Sequence, residues 1–385
     1  MTAKTPTKAR GRGRKPPVAV GARPRHIYAA IRRALLAWFR ANARALPWRG
    51  TCDPYAVWVS EIMLQQTQIA TVTPYYQRFL EAFPTVSRLA QAPLERVLEL
   101  WSGLGYYRRA RHLHQAAQAV AQQFAGEFPQ NYASLRALPG IGDYTAKAVL
   151  SIAFNQPYAV LDGNVARVVA RLCCLRGNLH RPQFRSHVET ELAGLLSRRE
   201  PGNFNQALME LGQTICLPRG PHCTACPLAK WCGGYRSGHP GDFPLPRPRR
   251  AAESHCLAVA LLRRGSRVAM VRGLADGLLD DLWNFPAAFG GSPHEALEAL
   301  REKLAGLMRA PFATVGARHG APLLTLGEPM AEFRHGITFR AIQGRVYPVE
   351  TSRAIRHASL HWFELKELPQ AAISQLARKI VQKIS

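Results

Sequence analysis

The stretch CLPRGPHCTACPLAKWC, residues 216–232, contains four cysteines in 17 residues, spaced Cys-x6-Cys-x2-Cys-x5-Cys. No signal peptide precedes it, so we expect a reducing compartment in which these cysteines bind metal and form no disulfides. A four-iron cluster fits a loop of this kind, whereas structural zinc normally uses two Cys-x2-Cys pairs. The spacing therefore favours an iron–sulfur cluster, with zinc as the second interpretation. The predicted ligands are Cys216, Cys223, Cys226 and Cys232, while Cys52, Cys173, Cys174 and Cys256 are predicted core thiols.

The length and charge of the chain restrict what it can be. A chain of 385 residues is too long for one ordinary core and predicts two or three domains. No apolar run reaches the roughly 18 residues expected of a membrane span. The net charge of +26, from 51 Lys+Arg against 25 Asp+Glu, predicts a polyanionic partner, most simply nucleic acid.

The pattern of residues divides the chain into four parts. Residues 1–25 have eight basic and no acidic residues among Pro and Gly, which predicts a disordered basic arm. Residues 26–233 carry apolar residues at spacings of three and four, as in Ile27, Ile31 and Leu35, and are predicted to be all-α. Residues 234–253, with four prolines, are predicted to form an extended linker. Residues 254–385 have short apolar runs and are predicted to form an α/β domain.

Local signals mark several elements within these parts. Asp53-Pro54 predicts a helix start, because the carboxylate caps the first turn and proline is preset for the first helical position. Ser292-Pro293-His294-Glu295 is a capping box that predicts a helix through Leu307. Predicted strands of the last part cover residues 255–262, 267–271, 337–342 and 346–349.

The motif Leu138-Pro139-Gly140-Ile141-Gly142 separates two predicted helices, 132–137 and 143–152. Gly140 and Gly142 permit a tight hairpin, and the N–H groups at the start of the second helix can hold a phosphate. A Pro-Gly turn is about as often only structural. Twenty residues beyond Gly142 lies Asp162, in the stretch VLDGNV at residues 160–165.

The hairpin, the following aspartate and the cysteine loop together resemble the helix-hairpin-helix DNA glycosylases that carry an iron–sulfur cluster. The resemblance covers about residues 26–233. It implies an all-α core with a six-helix part at about 50–158, a cluster part made of 26–49 and 159–233, and a [4Fe-4S] cluster on the four cysteines. Two branches of that superfamily are relevant, the bifunctional endonuclease III types and the MutY-type adenine glycosylases.

Two positions distinguish the branches. Tyr144 stands where endonuclease III types have a catalytic lysine, which argues against a Schiff-base lyase; Lys147 lies almost one turn further on and is expected to face elsewhere. Glu61, in WVSEIMLQQTQ at residues 58–68, lies in a stretch that closely resembles the one holding the general acid of MutY types. Its apolar neighbours predict a desolvated carboxyl with a raised pKa.

The resemblance assigns complementary roles to two carboxyl groups. Adenine leaves poorly as an anion, so an acid must protonate its ring while a carboxylate stabilises the oxocarbenium charge on the sugar. Glu61 is the expected acid, and Asp162, with Asn164 nearby, the expected carboxylate. The required protonation states differ, so we expect an apolar setting for Glu61 and a polar one for Asp162.

Recognition residues follow from the same resemblance. Trp48, Arg49 and Gln206 are expected to line the adenine pocket, although Trp48 could equally be a core aromatic. Gln66 and Tyr106 match residues that enter the base stack beside the lesion, which offsets part of the cost of extruding a base.

The last domain resembles the Nudix-like domain with which MutY types sense oxidised guanine. Residues 301–306 contain only Glu302 where a catalytic Nudix box needs several glutamates for magnesium, so no pyrophosphatase is expected. The family's Phe-Ser-His loop is best matched by Ile337-Thr338-Phe339. Thr338 keeps a hydroxyl, but Phe339 replaces the imidazole, so discrimination against normal guanine is expected to be weaker or differently built, unless the match is off by a residue or two.

We therefore expect a multidomain, monofunctional glycosylase that removes adenine opposite 8-oxoguanine or guanine in double-stranded DNA and leaves an abasic site. The expected form is a monomer in the bacterial cytoplasm at the nucleoid, or in the nucleus or mitochondria of a eukaryote. One alternative is a bifunctional glycosylase/lyase, against which Tyr144 argues. The other is a non-catalytic iron–sulfur DNA-binding or redox-sensing protein, against which the presence of both Glu61 and Asp162 argues.

Overall fold

The structure is a computed structural model of the chain. It describes residues 24–245, 251–275, 278–279, 282–308, 324–337, 339–351, 357–369 and 371–384. Most of the predicted basic arm, residues 246–250 of the predicted linker, and Thr338 lie outside the described residues.

The part of the chain predicted to be all-α is helical in the structure. Both helices of the predicted hairpin have the predicted bounds. The helices are α1 (Arg25–Asn42), α2 (Pro54–Met63), α3 (Ile69–Ala82), α4 (Val86–Gln91), α5 (Leu94–Trp101), α6 (Arg108–Gln123), α7 (Tyr132–Ala137), α8 (Asp143–Ile152), α9 (Gly163–Cys173), α10 (Pro182–Leu195), α11 (Pro201–Thr214) and α12 (Gly233–Arg236). No helix among the described residues is both long enough and apolar enough to span a bilayer.

The described residues form two compact units, the first from residues 24–45 and 147–245 and the second from residues 46–146 and the described part of 251–384. In the first unit, α1, α9, α10 and α11 pack around a common apolar core. Ile31 and Leu35 of α1 are 1% and 0% exposed, as the spacing of apolar residues predicts. Phe204 of α11 is also fully buried in this core.

In the second unit, α2 is a buried helix. Its residues 55–63 are all buried, so solvent reaches neither face of this segment. The predicted cap is present: the Asp53 carboxylate accepts hydrogen bonds from the N–H groups of Tyr55 at 3.0 Å and Ala56 at 3.2 Å. Proline follows at the first helical position, where its missing N–H costs nothing.

The second unit also contains the predicted α/β domain, a mixed eight-stranded sheet. Its two longest strands, β1 and β7, pair in parallel at the centre, and the other pairings are antiparallel. The strands are β1 (Glu253–Arg264), β2 (Arg267–Arg272), β3 (Trp283–Asn284), β4 (Ala287–Gly290), β5 (Leu324–Leu326), β6 (Ala331–Ile337), β7 (Arg340–Thr351) and β8 (His361–Glu364), and the helices are α13 (Pro293–Met308) and α14 (Gln375–Ile384).

Successive side chains of β1 point to opposite faces of the sheet, and each face packs against its own apolar core. Leu257 and Leu261 pack in the same core as Leu376 of α14, whereas Ala260 packs in the core that contains Leu300 of α13. The capping box is confirmed, since Ser292 Oγ accepts the N–H of Glu295 at 3.2 Å.

Cys52, predicted to be a core thiol, is exposed. Two predictions of secondary structure were also wrong. Residues 337–342 are no single strand: β6 ends at Ile337, β7 begins at Arg340, and these two residues pair across a hairpin. Residues 234–245 are not extended, because α12 occupies their start and Phe243 is buried in the core of the first unit. Both errors have one cause, since local composition does not reveal which residues will find a packing or pairing partner.

Candidate active site

Glu61 lies on α2, within the buried segment. Its side chain is 7% exposed, next to the buried Ser60 and Ile62. Trp58, one turn earlier and 0% exposed, packs edge-on against Phe128 with ring centroids 5.3 Å apart. The structure therefore buries the Glu61 side chain on a helix whose residues 58 and 62 are buried and apolar.

The chain that leaves α2 is held by Arg109 of α6. Its Nη1 donates to the carbonyl oxygens of Ile62 at 2.8 Å, Met63 at 2.9 Å and Gln65 at 2.7 Å. Its Nη2 donates to Thr67 Oγ1 at 3.2 Å and to the Gly105 carbonyl at 3.1 Å. Burial lowers the pKa of Arg109 to about 10, so the guanidinium remains charged at neutral pH. One side chain thus joins the loop after Glu61 to the loop before α6.

Those two loops carry the predicted wedge residues, and both wedges have left-handed backbones. Gln66 has φ +57° and Tyr106 has φ +51°, which is uncommon for residues with a Cβ and persists only where the surroundings impose it. Tyr106 is 50% exposed, and the Arg109 guanidinium lies 5.4 Å from its ring centroid. Gln66 and Tyr106 line one cavity of about 820 Å³, together with His335 and Ile337 of β6.

The hairpin between α7 and α8 closes as its glycines predict. Gly140 has φ +73°, and a Cβ there would come within 2.6 Å of His112. The Tyr132 hydroxyl donates to Asp143 at 2.7 Å, which bonds the two helices of the hairpin. A Cβ on Gly142 would meet nothing within 4 Å, so the backbone there is open to a ligand. Tyr144 is half-buried in the first turn of α8.

In the first unit, Asp162 is the N-cap of α9. Its carboxylate accepts from the N–H of Val165 at 2.7 Å and from Asn164 Nδ2 at 2.8 Å. Asn164 Oδ1 in turn accepts from Arg167 Nη2 at 3.0 Å, and Arg167 also donates to the carbonyls of Gly212 at 2.7 Å and Cys216 at 2.8 Å. The predicted pair Asp162 and Asn164 is therefore brought together and tied to the start of the cysteine loop.

Asn205 of α11 supports the segment that leads to Asp162. It is 0% exposed and donates to Ser151 Oγ at 2.9 Å and the Tyr158 carbonyl at 2.8 Å, while its own oxygen accepts from the Val160 N–H at 3.2 Å. A fully paired buried amide of this kind defines the path of the backbone. The neighbouring Gln206, predicted to contact adenine, is half-buried.

The four predicted cysteine ligands line one pocket, together with Arg171 of α9. Among the described residues, no group of three or more His, Cys, Asp or Glu side chains is arranged to hold a single metal ion. Arg171 is 3% exposed, lies 3.4 Å from Cys216 Sγ, and donates to the carbonyls of Leu217 at 2.6 Å and Pro218 at 3.0 Å.

The thiols of this pocket affect one another. Burial raises the pKa of Cys226 to about 12, and Cys216, Cys232 and Cys223 add to the rise because their negative charges would repel. Four thiolates can coexist here only with a cationic centre, so the donor set fits a metal cluster.

The remaining predicted residues have different settings. Trp48 is 7% exposed and packs edge-on against Tyr76, with ring centroids 5.3 Å apart. It is therefore packed in the core of the protein, which neither supports nor contradicts a contact with adenine. Arg49 is half-buried, and its N–H donates to the Leu46 carbonyl at 2.9 Å. Phe339 lies in the turn between β6 and β7, where its carbonyl accepts the Glu253 N–H at 2.9 Å. Thr338 lies outside the described residues.

Sequence reasoning missed the residues that position these groups, above all Arg109, Arg167, Arg171 and Asn205. Arg167 and Arg171 are four residues apart on α9 and therefore share a face, which was a usable signal. Arg109 and Asn205 gave no such signal, because all their partners except Gly105 lie more than 40 residues away in sequence.

Comparisons with known proteins find a family model and several relatives similar to this chain. Residues 59–195 match the family model described as HhH-GPD superfamily base excision DNA repair protein. The adenine DNA glycosylase of Rattus norvegicus is 34% identical over 93% of this chain and 79% of its own length. That of Homo sapiens is 32% identical over 91% of this chain and 73% of its own. A solved thermostable thymine-DNA glycosylase is 26% identical with a TM-score of 0.49, covering 55% of this chain and 97% of its own.

Proposed function

Since the chain belongs to the adenine DNA glycosylases of the HhH-GPD superfamily, we propose that it removes adenine opposite 8-oxoguanine or guanine in duplex DNA and leaves the strand intact. Its action on adenine in base excision repair and its binding to DNA follow from family membership. The mispair preference, the monofunctional chemistry and the residue roles are our proposal. We propose further that it acts as a monomer at the nucleoid, or in the nucleus or mitochondria if the source is a eukaryote.

The contrast between two carboxyl groups supports the proposed chemistry. Glu61 lies in an apolar helix at 7% exposure, where a protonated carboxyl costs less than a carboxylate. Asp162 accepts two hydrogen bonds and so lies in a polar setting. Glu61 donates a proton to the adenine ring as the glycosidic bond breaks, and Asp162 stabilises the positive charge that develops on the sugar. Water then completes hydrolysis at the sugar carbon.

DNA binding is assigned to four backbone and side-chain groups. The hairpin backbone at Gly140 and Gly142, which is open at Gly142, binds a phosphate at the start of α8, where N–H groups donate to the ligand. Gln66 and Tyr106 enter the base stack from the rim of their shared cavity. Trp48, Arg49 and Gln206 contact the extruded adenine, and Thr338 contacts the opposite base.

The four cysteines are proposed to hold a [4Fe-4S] cluster. Their common pocket, the repulsion among their charged forms and the neighbouring Arg171 support a metal centre here. The cysteine spacing, with only one Cys-x2-Cys pair, favours the cluster over zinc. When bound, the cluster supplies a rigid cationic centre that organises the loop. Arg167 then transmits that order toward Asp162 through Asn164, with no electron transfer required.

The direct test uses a duplex with one adenine opposite 8-oxoguanine. Free adenine is measured first, and strand breaks are then counted with and without alkali. We expect adenine release and breaks that depend on alkali. Breaks without alkali, or a complex trapped by borohydride, would establish the bifunctional alternative. No release from any mispair would establish the non-catalytic one.

The same duplex with undamaged guanine measures the preference for oxidised guanine. We expect faster release opposite 8-oxoguanine, because the cavity lined by β6 is available to read the opposite base. Equal rates for the two duplexes would show that the Phe339 turn does not sense oxidation.

A further inference from the structure

We propose that α14 acts as a positioning element that holds the Tyr106 wedge in its strained conformation, with Arg378 and Gln375 as the residues that do so. The inference rests on the proposed function, because it assigns a role in base extrusion. Nothing in the sequence of α14 indicates such a role, since the helix lies about 270 residues beyond the loop that it contacts.

The loop before α6 needs external support. Gly103 and Gly105 have φ values of +105° and +79°, and Tyr106 follows at +51°. Tyr106 carries a side chain in a left-handed conformation, and such a conformation persists only when its surroundings impose it. The wedge therefore depends on what holds the preceding residues.

Several of those supports come from α14. Arg378 Nη2 donates to Ser102 Oγ at 2.6 Å, and Gln375 Nε2 donates to the Gly103 carbonyl at 2.9 Å. Ser102 Oγ also donates to the Ala371 carbonyl at 3.4 Å, just before the helix begins. Hydrogen bonds from a charged guanidinium are among the stronger ones in proteins. They fix the two residues at the start of the wedge loop.

The helix is itself anchored, so it can serve as a rigid support. Leu376 and Ile380 are 2% and 1% exposed in the core below the sheet. Arg378 Nη1 also donates to the Pro369 carbonyl at 2.8 Å, so a second hydrogen bond fixes the orientation of the guanidinium. Because its helix is anchored and its guanidinium is already hydrogen-bonded, the Arg378 side chain is pre-organised for its contact with Ser102.

The same helix also touches the strand that lines the cavity. Lys379 Nζ donates to the Arg334 carbonyl of β6 at 2.6 Å, three residues before the turn that follows Ile337. Gln375 and Leu376 line the cavity shared by Tyr106 and Ile337. The helix α14 therefore bonds both to the wedge loop and to the strand facing it, and sets the spacing between them.

The test measures single-turnover adenine release by the full chain with its cluster, on duplexes with adenine opposite 8-oxoguanine. We expect Arg378→Ala and Ser102→Ala each to slow release about 5- to 10-fold, the scale of one hydrogen bond in a protein. Ser102→Ala leaves α14 untouched, so it guards against misfolding of that helix. Gln382→Ala, an exposed position on the same helix, is the matched control and should release adenine at the wild-type rate.

A double-mutant cycle separates positioning from general stability. If Arg378 acts through the wedge, Arg378→Ala should slow release no further once Tyr106 is already Ala. Additive losses in that cycle, or unchanged release by both Arg378→Ala and Ser102→Ala, would overturn the inference. Absence of release by the wild-type chain would instead overturn the proposed function, so the two failures are distinguishable.

Discussion

The surroundings of Glu61 and Asp162 differ in almost every respect. Glu61 lies in the middle of a helix whose residues 55–63 are all buried. Asp162 lies at a helix end, where one backbone N–H and one side-chain amide bond its two oxygens. Two carboxyl groups of similar intrinsic acidity thus occupy different settings, one in the middle of a buried helix and the other hydrogen-bonded at a helix N-terminus.

The arginines behind the two carboxyls extend this contrast. Arg109 bonds to three backbone carbonyls beyond Glu61 and shapes the loop without touching the carboxyl in any of those bonds. Arg167 bonds to Asn164, which itself bonds to Asp162. In the first region the arginine bonds to the backbone that follows the carboxyl, and in the second it bonds to the side chain that contacts the carboxyl.

The largest expected effect is that of Glu61→Gln. The amide has nearly the same shape but cannot deliver the proton, so adenine release should fall by about 10³-fold. Single-turnover kinetics measure this loss, and a binding titration should show affinity for the duplex within about twofold of wild type. Release near the wild-type rate would show that Glu61 is not the general acid, and the proposed difference in role between Glu61 and Asp162 would then be wrong.

Asp162→Asn should have the next largest effect, about 10²-fold on release, because the stabilising negative charge is lost. Helix capping should survive, since asparagine is also a good N-cap, and the melting temperature should therefore stay close to wild type. Asp53→Asn provides the matched control, an aspartate N-cap at the start of α2, and should leave the rate unchanged. Equal losses in the two variants would mean that capping alone explains the role of Asp162.

Arg109→Lys and Arg167→Lys should each slow release about 10-fold, since an ammonium cannot reproduce the fork of a guanidinium. Their dependence on Asp162 should differ. In an Asp162→Asn background, the Arg167→Lys loss should disappear, whereas the Arg109→Lys loss should persist. The same residual loss for both arginines would show that the two regions are not independent.

The smallest expected effect is on the pH dependence of stability and concerns His335, a third ionisable group beside Glu61 and Asp162. Burial, and then the Lys379 charge, lower the pKa of His335 below its ordinary value of 6.5. Between 6.5 and that lower pKa, the unfolded chain binds more protons than the folded one, so stability should fall as pH drops below 6.5. Melting curves at several pH values measure this dependence.

His335→Asn is the variant for that measurement, because asparagine does not titrate. We expect a weaker fall in melting temperature on acidification than in wild type. A steeper fall in the variant would show that His335 stabilises the protonated folded state, which is the opposite sign.

Much of the helical fold could be predicted because its signals are local. The Asp53 cap, the helices on both sides of Gly140 and the capping box at Ser292 each depend on residues within four positions of one another. The strand predicted over residues 337–342 failed, since its apolar pattern continues through a turn that only pairing between β6 and β7 reveals. The prediction of an extended linker from residue 234 was wrong for a related reason, because Phe243 packs in a core formed by helices distant in sequence.

The sequence by itself determined the cysteine spacing, the hairpin, the choice of tyrosine at position 144 and the two candidate carboxyl groups, because residue identity and short spacing carry that information. Tertiary structure alone decided how those groups are held. Gln66 and Tyr106 have left-handed backbones that their own types do not favour. The bonds from Arg109 to Thr67 and from Arg378 to Ser102 join residues 42 and 276 positions apart. Such bonds form only after packing brings their partners together, so no local sequence pattern predicts them.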